Sequence, residues 1–491
     1  MKYKRVVQTL TFPIMLSLLV AALPSGVALA ATPAIVLSAP SGTVGSSLTV
    51  TGTEFTANTT GNVIFGFGSS FATSYPVTLA TNVGGNFSIS STVPTVPGGT
   101  YTISATVGST ANSSFTVTPM ITLTPSSVHT RDSVSVSGTG FTVGLNATIT
   151  LDTVTVATVA TNTDGTFSVP FVIPSTVHGT HTVAASTGTP SASAPLSLTP
   201  SAGVSPISGQ VGSTTSVSGE GFGGNSAIVI SFDTISIAQA TTDANGSFST
   251  TITVPPSAGG THTITASIPP SVGVESAAAV FTSLTGLHLS QSSAGVGTSL
   301  TASGAAFGYN TLVSISIDST QIIQALSDAN GSFSIGLTVP VSTGGAHTIT
   351  GSDGSFSASI ALTVQSGIKV NPVSGNVSSP IAISGTGFSS TTPARISFDG
   401  TLLTTVNTDA AGSFNANATV PPSPAGNHTL SASDGTFTSN NTFATLAAVA
   451  LSSSRGPMGA PVTVMGTGFA AGGTITIQMG STVVKKTSAD A

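Results

Sequence analysis

Pro380-Ile381-Ala382-Ile383-Ser384-Gly385-Thr386-Gly387-Phe388 and, further on, Asp409-Ala410-Ala411-Gly412-Ser413-Phe414 are the stretches that decide the fold. The first alternates apolar and small residues and then bends at glycines; the second is a tight turn that delivers a phenylalanine. The bend recurs six times, ending at Phe55, Phe141, Phe222, Phe307, Phe388 and Phe469, at spacings of 86, 81, 85, 81 and 81 residues. The turn recurs as Asp164-Gly165, Asp243-Ala244-Asn245-Gly246 and Asp328-Ala329-Asn330-Gly331, with Asn82-Val83-Gly84-Gly85 in the first copy. It is followed each time by a phenylalanine: Phe87, Phe167, Phe248, Phe333 or Phe414. A period in the eighties is too long for a solenoid unit and matches a small autonomous domain. The eleven phenylalanines are the expected core anchors.

Outward from the bend, the fifth copy reads as seven short strands: Ile368–Val370, Pro380–Ser384, Ala394–Phe398, Leu402–Val406, Phe414–Val420, His428–Ala432 and Phe437–Leu446. Asn371-Pro372, Asp399-Gly400 and Pro421-Pro422 punctuate them. No 3.6-residue period appears. Short strands at regular spacing with Gly, Pro, Asn and Asp between them are the signature of a β-sandwich. The expected fold is all-β: a tandem array of immunoglobulin-like seven-stranded sandwiches after a signal peptide. The expected copies cover residues 31–118, 119–199, 200–284, 285–365, 366–447 and a shortened 448–491.

Composition agrees. Only 5% of the 491 residues are charged, against about 25% in ordinary soluble proteins, while β-branched and hydroxyl residues abound, as strands prefer. Residues 1–30 read as a secretory leader: Lys2, Lys4 and Arg5, an apolar stretch from Phe12 to Leu23, and Ala28-Leu29-Ala30 as the cleavage signal. Pro13 and Pro24 interrupt that stretch, which falls short of the roughly 20 apolar residues of a membrane span; no membrane span is expected in the mature chain. The expected location is extracellular or at the cell surface. Without the three leader cations, six basic and 15 acidic residues remain, a balance that cannot neutralise a phosphate backbone and excludes nucleic acid as a partner. There is no cysteine, hence no disulfide and no thiolate metal site.

Val44-Gly45-Ser46-Ser47-Leu48-Thr49-Val50-Thr51-Gly52-Thr53-Glu54-Phe55, and more closely Met458-Gly459-Ala460-Pro461-Val462-Thr463-Val464-Met465-Gly466-Thr467-Gly468-Phe469, resemble the opening of IPT/TIG domains, an immunoglobulin-like family. The resemblance covers the front third of each copy. The Asp-x-x-Gly-Ser-Phe turn and the Gly-x-His-Thr strand are closer to other bacterial immunoglobulin-like surface repeats. The resemblance implies a spacer, adhesion or binding module outside the cell.

Three features invite chemistry. Histidine recurs as His181, His262, His347 and His428, with Tyr101 in the first copy; a Tyr/His alternation favours a ring that packs and bonds a loop, as a tyrosine corner does, over a metal ligand. His178 stands beside His181 in the second copy only. The turns Asp243, Asn245 and Asp328, Asn330 have the residue types of calcium loops, and Asp152, Asp233, Asp318 and Asp399 in the preceding hairpins could add oxygens if the two turns met. Calcium needs six to eight oxygens, however, and glutamate is confined to Glu54, Glu220 and Glu275. Asp and Asn also favour turns for their own backbone bonding. The preferred reading is therefore no metal, no cofactor and no catalytic residue. Ten Asn-x-Ser/Thr sequons, Asn58, Asn146, Asn330 and Asn427 among them, allow glycosylation.

The sixth copy stops where Asp490 aligns with Asp409. The expectation is a fragment whose anchor or binding head lies downstream. The leading function is a non-enzymatic structural or adhesive surface stalk. The alternatives are an array that binds glycans or other cell-surface proteins, for which the aromatic run Phe65, Phe67, Phe71 and Tyr75 is the best sequence cue, and a non-catalytic spacer of a larger secreted enzyme.

Overall fold

The computed structural model describes residues 32–66, 76–269 and 275–490. The expected leader, with its expected cleavage point at Ala30, and Phe67, Phe71 and Tyr75 lie outside the described residues. Every described element is a strand, and none is a helix long and apolar enough to cross a membrane.

The fifth copy shows the plan, with strands numbered within the copy. They are β1 (Gly367–Asn371), β2 (Ser374–Asn376), β3 (Pro380–Thr386), β4 (Pro393–Phe398), β5 (Thr401–Asn407), β6 (Phe414–Thr419), β7 (Gly426–Ser433) and β8 (Thr438–Leu446). One sheet has the order β1-β3-β6 and the other β2-β8-β7-β4-β5. All pairings are antiparallel except β2 with β8, which is parallel. This is a tandem immunoglobulin-like sandwich, as the strand punctuation predicts. The seven expected strands are all present, and β2 is an addition. Three residues between a proline and the next turn show no alternation, so no sequence period marks β2. The hairpin of β4 and β5 turns at Asp399 and Gly400, both at positive φ, the geometry that Asp-Gly favours.

Alternation decides which residues meet. In β3, Ile381, Ile383 and Gly385 point inward; in β4, Ala394, Ile396 and Phe398 do. Burying each large apolar side chain contributes about 1.5–3 kcal/mol, and Ile396, Phe388 and Phe443 are fully buried.

The chain divides into two compact units. The first comprises Met1–Pro174 and Gly179–Thr199; the second comprises Ser175–His178 and Pro200–Ala491. The first holds two copies of the plan, the second three, each with its own apolar core. The sixth copy departs. Its described strands pair only as Ala448–Leu451 with Val464–Thr467 and Thr474–Met479 with Thr482–Ser488. Phe469 is therefore half-buried rather than a core anchor, and Val449, Met465 and Val484 are exposed. The other ten expected anchors are all buried.

Candidate functional site

The bend and the turn that recur in the sequence are bonded to each other. In the fifth copy, Phe388 N–H donates to Gly412 O (3.0 Å), and the rings of Phe388 and Phe414 meet at 5.3 Å. A Cβ on Gly385 would sit 2.1 Å from the Phe414 ring, which is why glycine stands there. Thr408, buried just before the turn, donates to Ser389 O (2.6 Å) and accepts from Thr392 N–H (2.9 Å). Thr81, Thr161, Thr242 and Ser327 are its buried counterparts. The sequence expectations do not include these hydroxyls, whose one signal is a Thr or Ser directly before the turn's Asp or Asn in five copies.

The turn itself has a backbone purpose. Asp243 Oδ1 accepts from Asn245 N–H and Ser247 N–H, both at 2.9 Å, and Asp328 Oδ1 accepts from Asn330 N–H and Ser332 N–H. Asn82 Oδ1 does the same in the first copy without a charge. Asn245 and Asn330 contribute a backbone N–H to these turns. The hairpin aspartates are engaged elsewhere, on the histidines, so the two sets of carboxylates do not converge. Among the described residues no group of three or more His, Asp or Glu could hold a metal ion.

The recurrent histidine occupies the centre of a short hydrogen-bonded relay. His428, at the start of β7, directs Nδ1 at Asp399 Oδ2 (2.6 Å) and Nε2 at Pro424 O (2.8 Å), while Asp399 Oδ1 accepts from Thr429 N–H. Its ring stacks on Phe398 at 4.8 Å. His347 does the same with Asp318 and Thr343 O, and His262 with Asp233 and Ala258 O. His181 pairs with Asp152 at 2.7 Å. Tyr101 reaches the equivalent carbonyl, Pro97 O, with its hydroxyl at 2.7 Å, so the expected tyrosine-corner role is what the geometry shows. Burial pushes the Tyr101 hydroxyl above its ordinary pKa. Burial also acts to lower His428, but its bonds to Asp399 and Pro424 and the Asp399 charge outweigh that and raise it. The hydrogen bonds from the paired histidine and the following backbone N–H hold Asp152, Asp318 and Asp399 below the usual carboxylate value. His178 does not join His181: its Nε2 lies 2.9 Å from Glu275 Oε1, both residues belonging to the second unit.

The carbonyls held by Tyr101, His262, His347 and His428 belong to peptide groups with a second partner. The N–H of each of these peptides docks on the following copy. Within the second unit, Gly259 N–H donates to Phe307 O (3.4 Å), Gly344 N–H to Phe388 O (3.1 Å) and Ala425 N–H to Gly468 O (2.7 Å); within the first, Gly98 N–H donates to Phe141 O (3.3 Å). The acceptor is the glycine–phenylalanine bend of the next copy. Contact is close: a Cβ on Gly344 would lie 2.3 Å from Gly387 O and 3.0 Å from the Phe437 ring, and one on Gly259 would lie 2.7 Å from Phe356. Phe356 and Phe437 stand in the turns before β8 of their copies, held by Asp353 and Asp434. Burial pushes these carboxyls up, but the backbone N–H groups they accept from (Gly308, Phe356 and Ser355; Phe437, Ser389 and Thr436) hold both below the ordinary value.

No protein-family model matches the sequence, and no curated protein matches it. Solved structures do. E. coli alpha-2-macroglobulin matches 86% of this chain and 41% of its own at 9% identity, with a TM-score of 0.15. The N-terminal eight Ig domains of Down Syndrome Cell Adhesion Molecule match 83% and 67% at 15% identity and 0.17. Invasin, a bacterial integrin-binding protein, matches 71% and 82% at 15% and 0.18. The chain thus spans about two fifths of the macroglobulin's length. The fold assignment rests on strand order and register, to which these distant matches add nothing.

Proposed function

We propose that this chain is an exported, non-enzymatic surface protein whose immunoglobulin-like copies, akin to IPT/TIG and bacterial surface repeats, serve as a structural spacer or adhesive stalk. The carrying observation is the junction. In each unit, successive copies are joined through one peptide group that is held by its own copy and donated to the next. That arrangement fixes one module on another and leaves the loops around it engaged in backbone bonding rather than open for a substrate. The leader expected over residues 1–30 would supply the export route.

The test is a surface-displayed chain carrying a C-terminal epitope. A spacer predicts that deleting residues 285–365 lowers antibody access to the epitope stepwise without altering binding to glycans or cells. Unchanged access on deletion contradicts it.

One observation favours the second reading, glycan binding. On the outer face of the β1-β3-β6 sheet of the fifth copy, Lys369, Ser384 and Asn415 are register neighbours, as are Asn371 and Asn417 across Ala382, and together they line a shallow groove. Amide side chains both donate and accept, as sugar hydroxyls require. Saturable binding on a glycan array that is lost in Asn415→Ala would establish that reading over the first.

A further inference from the structure

The imidazoles of His262, His347 and His428 pose a donor problem. Each ring nitrogen faces an acceptor: a carboxylate oxygen at Nδ1 and a backbone carbonyl oxygen at Nε2. A neutral imidazole has one N–H and cannot satisfy both; only the imidazolium, with two, can. The charged group facing each ring is its hairpin aspartate, on the β4–β5 turn. The other polar contact is the loop carbonyl before β7, and Phe232 or Phe398 covers the ring of His262 or His428. Deprotonation should take the Nε2 proton, because the Nδ1–H bond to the carboxylate is charge-assisted and roughly twice as strong as a neutral one. The Nε2 lone pair would then oppose the carbonyl oxygen.

That carbonyl is the other end of the peptide whose N–H docks on the next copy. Ala258 O and Gly259 N–H, Thr343 O and Gly344 N–H, and Pro424 O and Ala425 N–H are single amide groups. A proton donated to the oxygen of an amide polarises it and makes its N–H a better donor. The imidazolium therefore strengthens the bond to the following copy, and the neutral ring weakens it twice, by repelling the loop and by removing the polarisation.

We infer that each of these His–Asp pairs is a proton-operated lock on the joint to the following copy: closed while the imidazole carries two protons, loosened when it loses one. The first copy supplies an internal contrast. Tyr101 bonds Pro97 O through a hydroxyl that keeps its proton throughout the range in which histidine titrates, so that joint stays closed. The direction also follows from linkage. A group raised in the folded state, as His428 is, stabilises fully below the unfolded histidine value of about 6.5 and loses that contribution as pH rises through its folded value. The lowered aspartates Asp318 and Asp399 contribute above the ordinary Asp value of about 3.9, and lose their contribution only as pH falls through their own folded values. The lock at His428 is accordingly strongest in mildly acidic surroundings.

The test is hydrogen exchange of the full chain at about pH 5.5 and about pH 8, corrected for intrinsic rate and referred to amides of β3 in the same copy. Protection of Gly259, Gly344 and Ala425 is expected to fall by about threefold or more at the higher pH while that of Gly98 holds. In His347→Tyr, the pH dependence at Gly344 should vanish with protection retained, while Gly259 responds as before. Equal protection at both pH values in the parent chain, or a fall at Gly98 as large as at Gly344, would overturn the lock. Should His347→Tyr disturb its copy, the comparison of Gly98 with Gly259 in the unmodified chain still decides.

Discussion

At the scale of single residues, two kinds of side chain hold each sandwich together. The paired phenylalanines carry the apolar part. Phe388→Ala, at a fully buried position, is expected to cost about 3–5 kcal/mol, read as loss of the fifth copy's unfolding transition in calorimetry while the other copies keep theirs. The second kind is the buried hydroxyl of Thr408. Thr408→Val keeps the shape but leaves Ser389 O and Thr392 N–H without their partner. That should cost about 1–3 kcal/mol by denaturant titration, whereas an exposed threonine such as Thr401 changed in the same way should be close to neutral. The phenylalanines were legible in the sequence, because a large apolar residue that recurs at a fixed offset from a glycine bend marks a position packed in a core. Thr408 was not: in a chain so rich in threonine, one buried hydroxyl has no compositional contrast. The histidines lay between. Their recurrence and their exchange with Tyr101 announced a structural ring, but the carboxylate that completes each pair sits 29 residues upstream, beyond what a local pattern can connect.

Among strands and turns, alternation and turn chemistry placed seven of the eight strands, since each large strand has one buried face and each hairpin its own Asp or Gly signal. The eighth, β2, is too short to alternate and is defined only by its parallel pairing with β8, a tertiary fact. The junction was equally hidden. Its glycines read as ordinary turn residues until the next copy is placed against them. Gly344→Ala tests it directly. The added Cβ would sit 2.3 Å from Gly387 O, a backbone atom that cannot give way cheaply. The expected outcome is faster exchange at residues 340–346 and new protease sensitivity there, with the cores of the fourth and fifth copies still protected. Loss of either core instead would show that the junction glycine belongs to its own sandwich and not to the joint.

Taken as a whole, the chain holds five similar modules, each with a separate apolar core, and a sixth whose described strands close none; the spacer function proposed for it depends on that separateness. Low charge and the absence of cysteine mean that packing and hydrogen bonding within each module must resist extension without covalent help. The most direct test is single-molecule stretching of the full chain between its ends. Five separate unfolding events are predicted, each releasing about 80 residues and lengthening the chain by roughly 250 Å, with the sixth copy yielding at low force because its strands close no core. A single cooperative rupture, or increments unrelated to the 81-to-86-residue period, would contradict the account of independent sandwiches in tandem.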